Sequence, residues 1–329
     1  MMPETNKLKI AVYWAAACGG CDVAITHLNE KILDLAAAAD IVFWPCAMDF
    51  KYSDVEKMPD GFIDVCLFNG AIRTSEHEHV AKLLRKKSKV MVAFGACAAF
   101  GGIPGLSNLT TASASLKEAY LDEPSAPNPK HNMPSLKTQM PEGELTLPVI
   151  WDTVHSLKQV VGVEYFVPGC PPTVNIIAAA IDAIVSGKLP PVGTTIAGEG
   201  SVCTECKLEK LDNMRLKEYK RPWEIKPDPA RCLMEQGMVC LGPATRAGCG
   251  AQCTAVLMPC RGCFGPMERI LDQGAAALDA ASSILDTNDE ARIAELIDEI
   301  PDPAGTFYRF SLPESLLRRA ASAREEKQK

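Results

Sequence analysis

The sequence predicts an α/β fold: a flavodoxin-like doubly wound parallel sheet, followed by a small loop-rich, cysteine-rich unit with C-terminal helices. Three observations predict it. Short apolar runs rich in valine and isoleucine alternate with helix-like segments through the first 190 residues, as parallel strands buried on both faces do. Leu189-Pro-Pro-Val-Gly193 then punctuates the chain, dividing it into units 1–190 and 191–329. Beyond that point, eight of the 14 cysteines crowd among short loops.

The elements follow in order. Residues 7–14 make the first strand, with Leu8, Ile10, Val12 and Trp14. Residues 22–39 make a helix whose stripe is Val23, Ile25, Leu28, Ile32, Leu33 and Leu35. Strands follow at 40–46, 62–69, 89–95 and 163–168, with helices near 75–87 and 173–186. Five strands linked by helices give the order 2-1-3-4-5. Residues 103–144 break the rhythm with six prolines and few aliphatic runs, reading as an ordered insertion. Helices are expected at 275–284 and 291–297, and a charged, frayed end from 318 to 329.

Composition narrows the function classes. A net charge of −7 opposes a basic nucleic-acid-binding face. No run of 18 apolar residues exists, so no membrane span is expected. The first seven residues carry no export signal or twin-arginine pair, which places the protein in the cytoplasm. In that reducing compartment, cysteine groups serve as metal ligands rather than disulfides.

Four cysteines stand at strand ends. Cys18 and Cys21 (Cys18-Gly-Gly-Cys21) follow the first strand, Cys97 follows the fourth and Cys170 follows the fifth. Ligands of an open α/β sheet bind at the carboxyl ends of its strands, so these thiols converge on one crevice. Taken singly, Cys97 and Cys170 read as small buried hydrophobes, and Cys18-x-x-Cys21 as a redox dithiol. Only a shared ligand role uses all four. The remaining eight give the spacings C-x2-C-x25-C-x7-C (Cys203, Cys206, Cys232, Cys240) and C-x3-C-x6-C-x2-C (Cys249, Cys253, Cys260, Cys263). Either quartet alone fits zinc, and a zinc-stabilised binding module is the alternative from another class. Three quartets together favour three [4Fe–4S] clusters, and spacing leaves the partition within the second block open.

The other candidates have blander readings. Cys66, inside the third strand, is a core residue, and Cys46, at the end of the second, is structural. Asp22 caps the following helix. His77 and His79 sit at i and i+2 and cannot share a helix face. Glu76 is placed to face the crevice. No phosphate loop is present, and the first loop lacks the hydroxyl donors of a flavin site, so no flavin is expected.

With these motifs in place, the chain resembles the small subunit of nickel–iron hydrogenases. The resemblance rests on Cys18-x-x-Cys21, Gly95-Ala-Cys97-Ala-x-x-Gly101-Gly102-Ile103 and Pro168-Gly-Cys170-Pro-Pro172. It implies that Cys18, Cys21, Cys97 and Cys170 hold a proximal cluster beside the nickel–iron centre of a separate large subunit. Cys203, Cys206, Cys232 and Cys240 would hold a distal cluster, and Cys249, Cys253, Cys260 and Cys263 a medial one. Cys203 stands where many exported members have histidine, and Cys253 supplies a ligand that their three-iron medial cluster lacks. The all-cysteine set looks most like cytoplasmic, archaeal-type members, above all the viologen-reducing enzymes that feed heterodisulfide reductase in methanogenesis. The gamma subunit of deazaflavin-reducing hydrogenase is a near neighbour. The small subunit of quinone-reducing complexes fits less well, having adjacent cysteines in its first motif and no second block. Nickel-binding motifs are absent. The resemblance therefore implies an oxidoreductase subunit inactive alone, partnered by a large subunit and by a downstream iron–sulfur or flavin subunit.

Overall fold

β1 (Leu8–Trp14) lies second from one edge of a five-stranded parallel sheet in the computed structural model, which describes residues 7–318. The chain then passes α1 (Gly20–Thr26), α2 (Lys31–Ala38), β2 (Ala39–Phe43), α3 (Tyr52–Lys57) and β3 (Ile63–Asn69). A short β4 (Ile72–Thr74) leads into α4 (Ser75–Lys87), β5 (Ser88–Phe94) and α5 (Ala96–Phe100). After α6 (Ala112–Lys117), β6 (Lys137–Met140), β7 (Gly143–Thr146) and β8 (Ile150–His155), the last sheet strand β9 (Tyr165–Val167) feeds α7 (Val174–Val185). The sheet order is β2-β1-β3-β5-β9, the predicted 2-1-3-4-5.

Alternation along each strand builds two cores. Ile10, Val12, Val65, Leu67, Val92 and Phe94 face α1, α2 and α7, meeting Ile25, Leu35, Ile177 and Ile184. Ala11, Tyr13, Cys66, Phe68, Met91 and Ala93 face α3, α4 and α5, meeting Val55, Val80, Leu84 and Ala98. Each fully buried Ile, Leu or Phe contributes about 1.5–3 kcal/mol. Helices on both faces make the sheet doubly wound.

Three elements differ from expectation. The helix expected over 22–39 is two: α1 stops at Thr26, and α2 begins at Lys31. Between them Asn29 adopts φ 51°, a left-handed conformation that asparagine tolerates, and the amides of Leu28, Asn29, Lys31 and Ile32 bond three residues back. β2 ends at Phe43, so Cys46 lies in an exposed turn rather than in the strand. β8, which is not among the expected elements, pairs antiparallel with β4 beside the main sheet. The insertion at 103–144 is ordered, as expected: a 3-10 helix (Ile103–Leu109), α6 and the start of the exposed β6–β7 hairpin.

Past α7 the chain carries α8 (Val202–Glu205), α9 (Gln252–Ala255), α10 (Gln273–Ser282), α11 (Glu290–Asp298) and α12 (Pro303–Phe307), joined by long loops. α10 and α11 match the expected helices. The segment after α12 returns to the sheet unit. The Gly102 amide donates to the Phe310 carbonyl (3.0 Å), Gln159 Nε2 to the Pro313 carbonyl (2.7 Å) and Asn108 Nδ2 to the Arg318 carbonyl (2.9 Å). Lys158 pairs with Glu314 at 2.7 Å. The expected fraying thus does not begin at Arg318; the rest of that stretch lies outside the described residues.

Candidate metal centres

The first thiol set forms where the carboxyl ends of β1, β5 and β9 meet. Cys18 lies in the loop after β1, Cys21 in the first turn of α1, Cys97 in the first turn of α5, and Cys170 just past β9. Burial pushes the Cys21 thiol well above the usual thiol range, and Cys97, Cys170, Asp22 and Cys18 push it further. The Cys97 thiol is pushed up to about 12 by burial, then by Cys170 and Cys18, against an opposing Ile103 N–H. Mutual repulsion of this kind requires the four sulfurs to be neighbours. The backbone is shaped around them: a Cβ on Gly95 would stand 2.4 Å from Cys21 Sγ, at φ 88°, which excludes any side chain at the β5–α5 turn. Cys18 is exposed, as are Trp14, Val23 and Ile103.

Asp22 does not cap α1; the cap position is Gly19, at φ 83°. The Asp22 carboxylate is buried, accepting from Trp44 Nε1 (2.8 Å) and Asn69 Nδ2 (3.0 Å). Both donors escaped sequence reasoning. The available signal was a polar residue, Asn69, ending a buried central strand at the ligand edge of the sheet. Glu76 accepts from the Tyr52 hydroxyl (2.7 Å), which lies 3.4 Å from the Tyr13 hydroxyl. Tyr13 packs on the sheet face opposite that of Cys21, so Glu76 serves the tyrosine pair. His77 Nδ1 accepts from the Arg73 amide, and His79 is exposed; neither joins a thiol set. Cys66 is fully buried, as expected.

The eight thiols of the second block also lie close together. Cys203 neighbours Cys206 and Cys232, Cys232 neighbours Cys206, and Cys240 neighbours Cys260 first and then Cys203. A Cβ on Gly242 would meet Cys203 Sγ at 3.2 Å and Cys240 Sγ at 3.5 Å. Cys249 neighbours Cys253, Cys260 neighbours Cys263 and Cys249, and Cys263 neighbours Cys249 and Cys253. Cys249, Cys253, Cys260 and Cys263 line a cavity of about 510 Å³. Burial, as the leading cause, pushes Cys240, Cys260 and Cys263 up to about 12. Around these thiols the apolar clusters are small: Val202 and Ala251 pack with Cys260, Cys206, Cys240 and Cys249, and Leu216, Met234 and Ile284 with Cys232 and Cys240.

The sets touch in series. Cys170 and Cys263 line one cavity and pack against the same core, which brings the first set against the Cys249 set. The Cys260 amide donates to Cys240 Sγ at 3.2 Å, linking that set to the Cys203 set.

The donors fit iron–sulfur clusters. Buried thiols that raise one another's pKa are tolerable as thiolates only around a positively charged core, and all-thiolate sets select iron–sulfur or zinc. Zinc needs sulfurs about 2.3 Å from one centre. Among the described residues, no three His, Cys, Asp or Glu side chains are placed to hold a single ion. Nor, among the described residues, is any helix long and apolar enough to cross a membrane.

Comparison with known proteins agrees with this chemistry. The family model described as NADH ubiquinone oxidoreductase, 20 Kd subunit, matches residues 18–184, a span that contains the whole first set. The iron-sulfur subunit of the F420-non-reducing hydrogenase of Archaeoglobus profundus is 41% identical over 94% of this chain and 98% of its own length. A subunit of the vhu F420-non-reducing hydrogenase of Methanocaldococcus jannaschii is 39% identical over 96% of this chain and 99% of its own. Among solved structures, a chain of the NAD+-reducing [NiFe]-hydrogenase in the H2-reduced state aligns with a TM-score of 0.48 and 28% identity, covering 56% of this chain and 94% of that one. The full-length matches span both cysteine blocks, and the chain belongs to the archaeal-type small subunits of nickel–iron hydrogenases, the electron-transfer subunits of those oxidoreductases.

Proposed function

We propose that this chain holds three [4Fe–4S] clusters in a line and relays electrons between a nickel-bearing large subunit and a downstream iron–sulfur or flavin subunit linked to heterodisulfide reductase. Bound clusters supply one-electron redox capacity. The chain supplies ligands, order and electrostatics. Cys18, Cys21, Cys97 and Cys170, in unit 1–190, hold the proximal cluster. Cys249, Cys253, Cys260 and Cys263 hold the medial one, and Cys203, Cys206, Cys232 and Cys240 the distal one, both in unit 191–329.

One observation carries this reading. Cys170 and Cys263 line one cavity, and the Cys260 amide donates to Cys240 Sγ at 3.2 Å, a contiguity that supports placing the Cys249 set between the other two. Amide donors to sulfur also stabilise its charge and tune the potential. Exposed Trp14, Val23 and Ile103, in the segments that carry Cys18, Cys21 and Cys97, offer the apolar cover that an obligate large-subunit interface needs. Cytoplasmic placement suits the thiol-only ligand set. The names of the relatives describe hydrogenases that do not reduce F420, which favours this assignment over a deazaflavin-reducing gamma subunit. Their full-length match, with Gly19 and Gly20 separating the first two cysteines, disfavours the quinone-type subunit.

The test is coexpression. The chain alone is expected to be poorly soluble or to lose its first cluster, and to show no H2-dependent dye reduction. Coexpression with a nickel-bearing large subunit should restore cluster and activity. H2-dependent dye reduction by the nickel-free chain alone would overturn the assignment.

A further inference from the structure

Charged side chains stand beside several of the thiols, and all but one of those in the second block have other partners. Lys210, near Cys203, donates to the Cys203 carbonyl at 2.7 Å. Glu205, near Cys249, accepts from the Gly248 (2.9 Å) and Gly250 (3.0 Å) amides. Glu235, near Cys232, accepts from the Leu211 amide at 2.6 Å and pairs with Arg231 at 3.4 Å. Arg261 differs. It lies within Cys260-Arg-Gly-Cys263, partly buried, and faces Cys240, Cys253 and Cys260, which belong to two different sets. It lines both the cavity of the Cys249 set and a second cavity of about 310 Å³, shared with Arg221, Arg309, Glu299 and Asp302; Glu299 accepts from the Tyr219 amide and pairs with Arg292, and Asp302 accepts from the Gly305 amide. Among the described residues no carboxylate pairs with it, and Arg309 repels it. A cation that is partly desolvated beside a like charge is unfavourable unless negative charge answers it, and here the sulfurs of Cys240, Cys253 and Cys260 are placed to do so.

Resting on the relay proposed above, we infer that Arg261 is a positioning residue that raises the reduction potential of the two cysteine sets it faces, leaving the first set the lower. Reduction adds one negative charge to whatever the thiolates hold, and a fixed cation at the junction favours that state in both sets. The first set has the opposite neighbour, the buried carboxylate of Asp22.

The experiment uses the assembled complex with unaltered, Arg261→Gln and Arg261→Lys chains, measured by iron and sulfide analysis and by redox titration followed by electron paramagnetic resonance. With Arg261→Gln, iron content should hold. At fixed potential the signals of the Cys249 and Cys203 sets should show about a tenfold fall in reduced-to-oxidised ratio, about 59 mV for a one-electron couple. The first-set signal should not move, and Arg261→Lys should retain most of the unaltered value. Unmoved potentials with full iron, an equal shift of all three signals, or loss of iron in both variants would each overturn the inference. Absence of iron–sulfur signals from the unaltered complex would instead overturn the relay itself.

Discussion

Cys66 and Cys46 show what burial does to a thiol that has no ligand role. Cys66 is wholly buried in β3, and burial pushes its pKa up to about 12. Cys46 stands exposed in the turn after β2. A thiol whose folded pKa lies above its ordinary 9.0 stabilises the fold fully below pH 9, and that contribution is lost as pH rises towards 12. Alkylation of the loaded protein near pH 8, followed by mass spectrometry, should therefore mark Cys46 and leave Cys66 untouched until denaturant is added; equal labelling of both in the native protein would contradict the burial. The ligand candidates were legible at this scale because cysteine, unlike most residues, declares its chemistry in the sequence. The role of Asp22 was not legible. Its partners Trp44 and Asn69 stand 22 and 47 positions away, and only the sheet brings them together.

At the scale of elements, the β5–α5 turn decides whether the first set can form. Gly95 combines φ 88° with a Cβ position 2.4 Å from Cys21 Sγ, so a methyl group there strains the backbone and displaces a ligand. Gly95→Ala should cost the first set its cluster, about four irons per chain, while the other two signals remain; full iron with three unchanged signals would show that the turn yields. The parallel strands were legible because Ile, Val and Leu on both faces leave little choice of environment, and the strand-end cysteines followed from them. The break between α1 and α2 was hidden because Val23 to Leu35 keeps a helical stripe across it, while Asn29 turns the backbone locally. β4 and β8 were missed because each is short and gains its pairing only from the other.

At the scale of the whole molecule, the cysteine-rich unit is tied to the sheet unit by the Cys170–Cys263 contact and by the return of residues 308–318 onto α5 and its flanking loops. That return was not legible, because Phe310, Pro313 and Glu314 acquire meaning only against Gly102, Gln159 and Lys158. The second unit packs its eight cysteines among small apolar clusters, and what those cysteines bind determines whether the unit is an electron relay or a zinc-stabilised scaffold. Metal and sulfide analysis of the anaerobically purified complex separates these outcomes most directly. Three occupied sets give about 12 iron and about 12 acid-labile sulfide per copy of this chain, beyond the metals of the large subunit. Stoichiometric zinc with little sulfide would contradict the account.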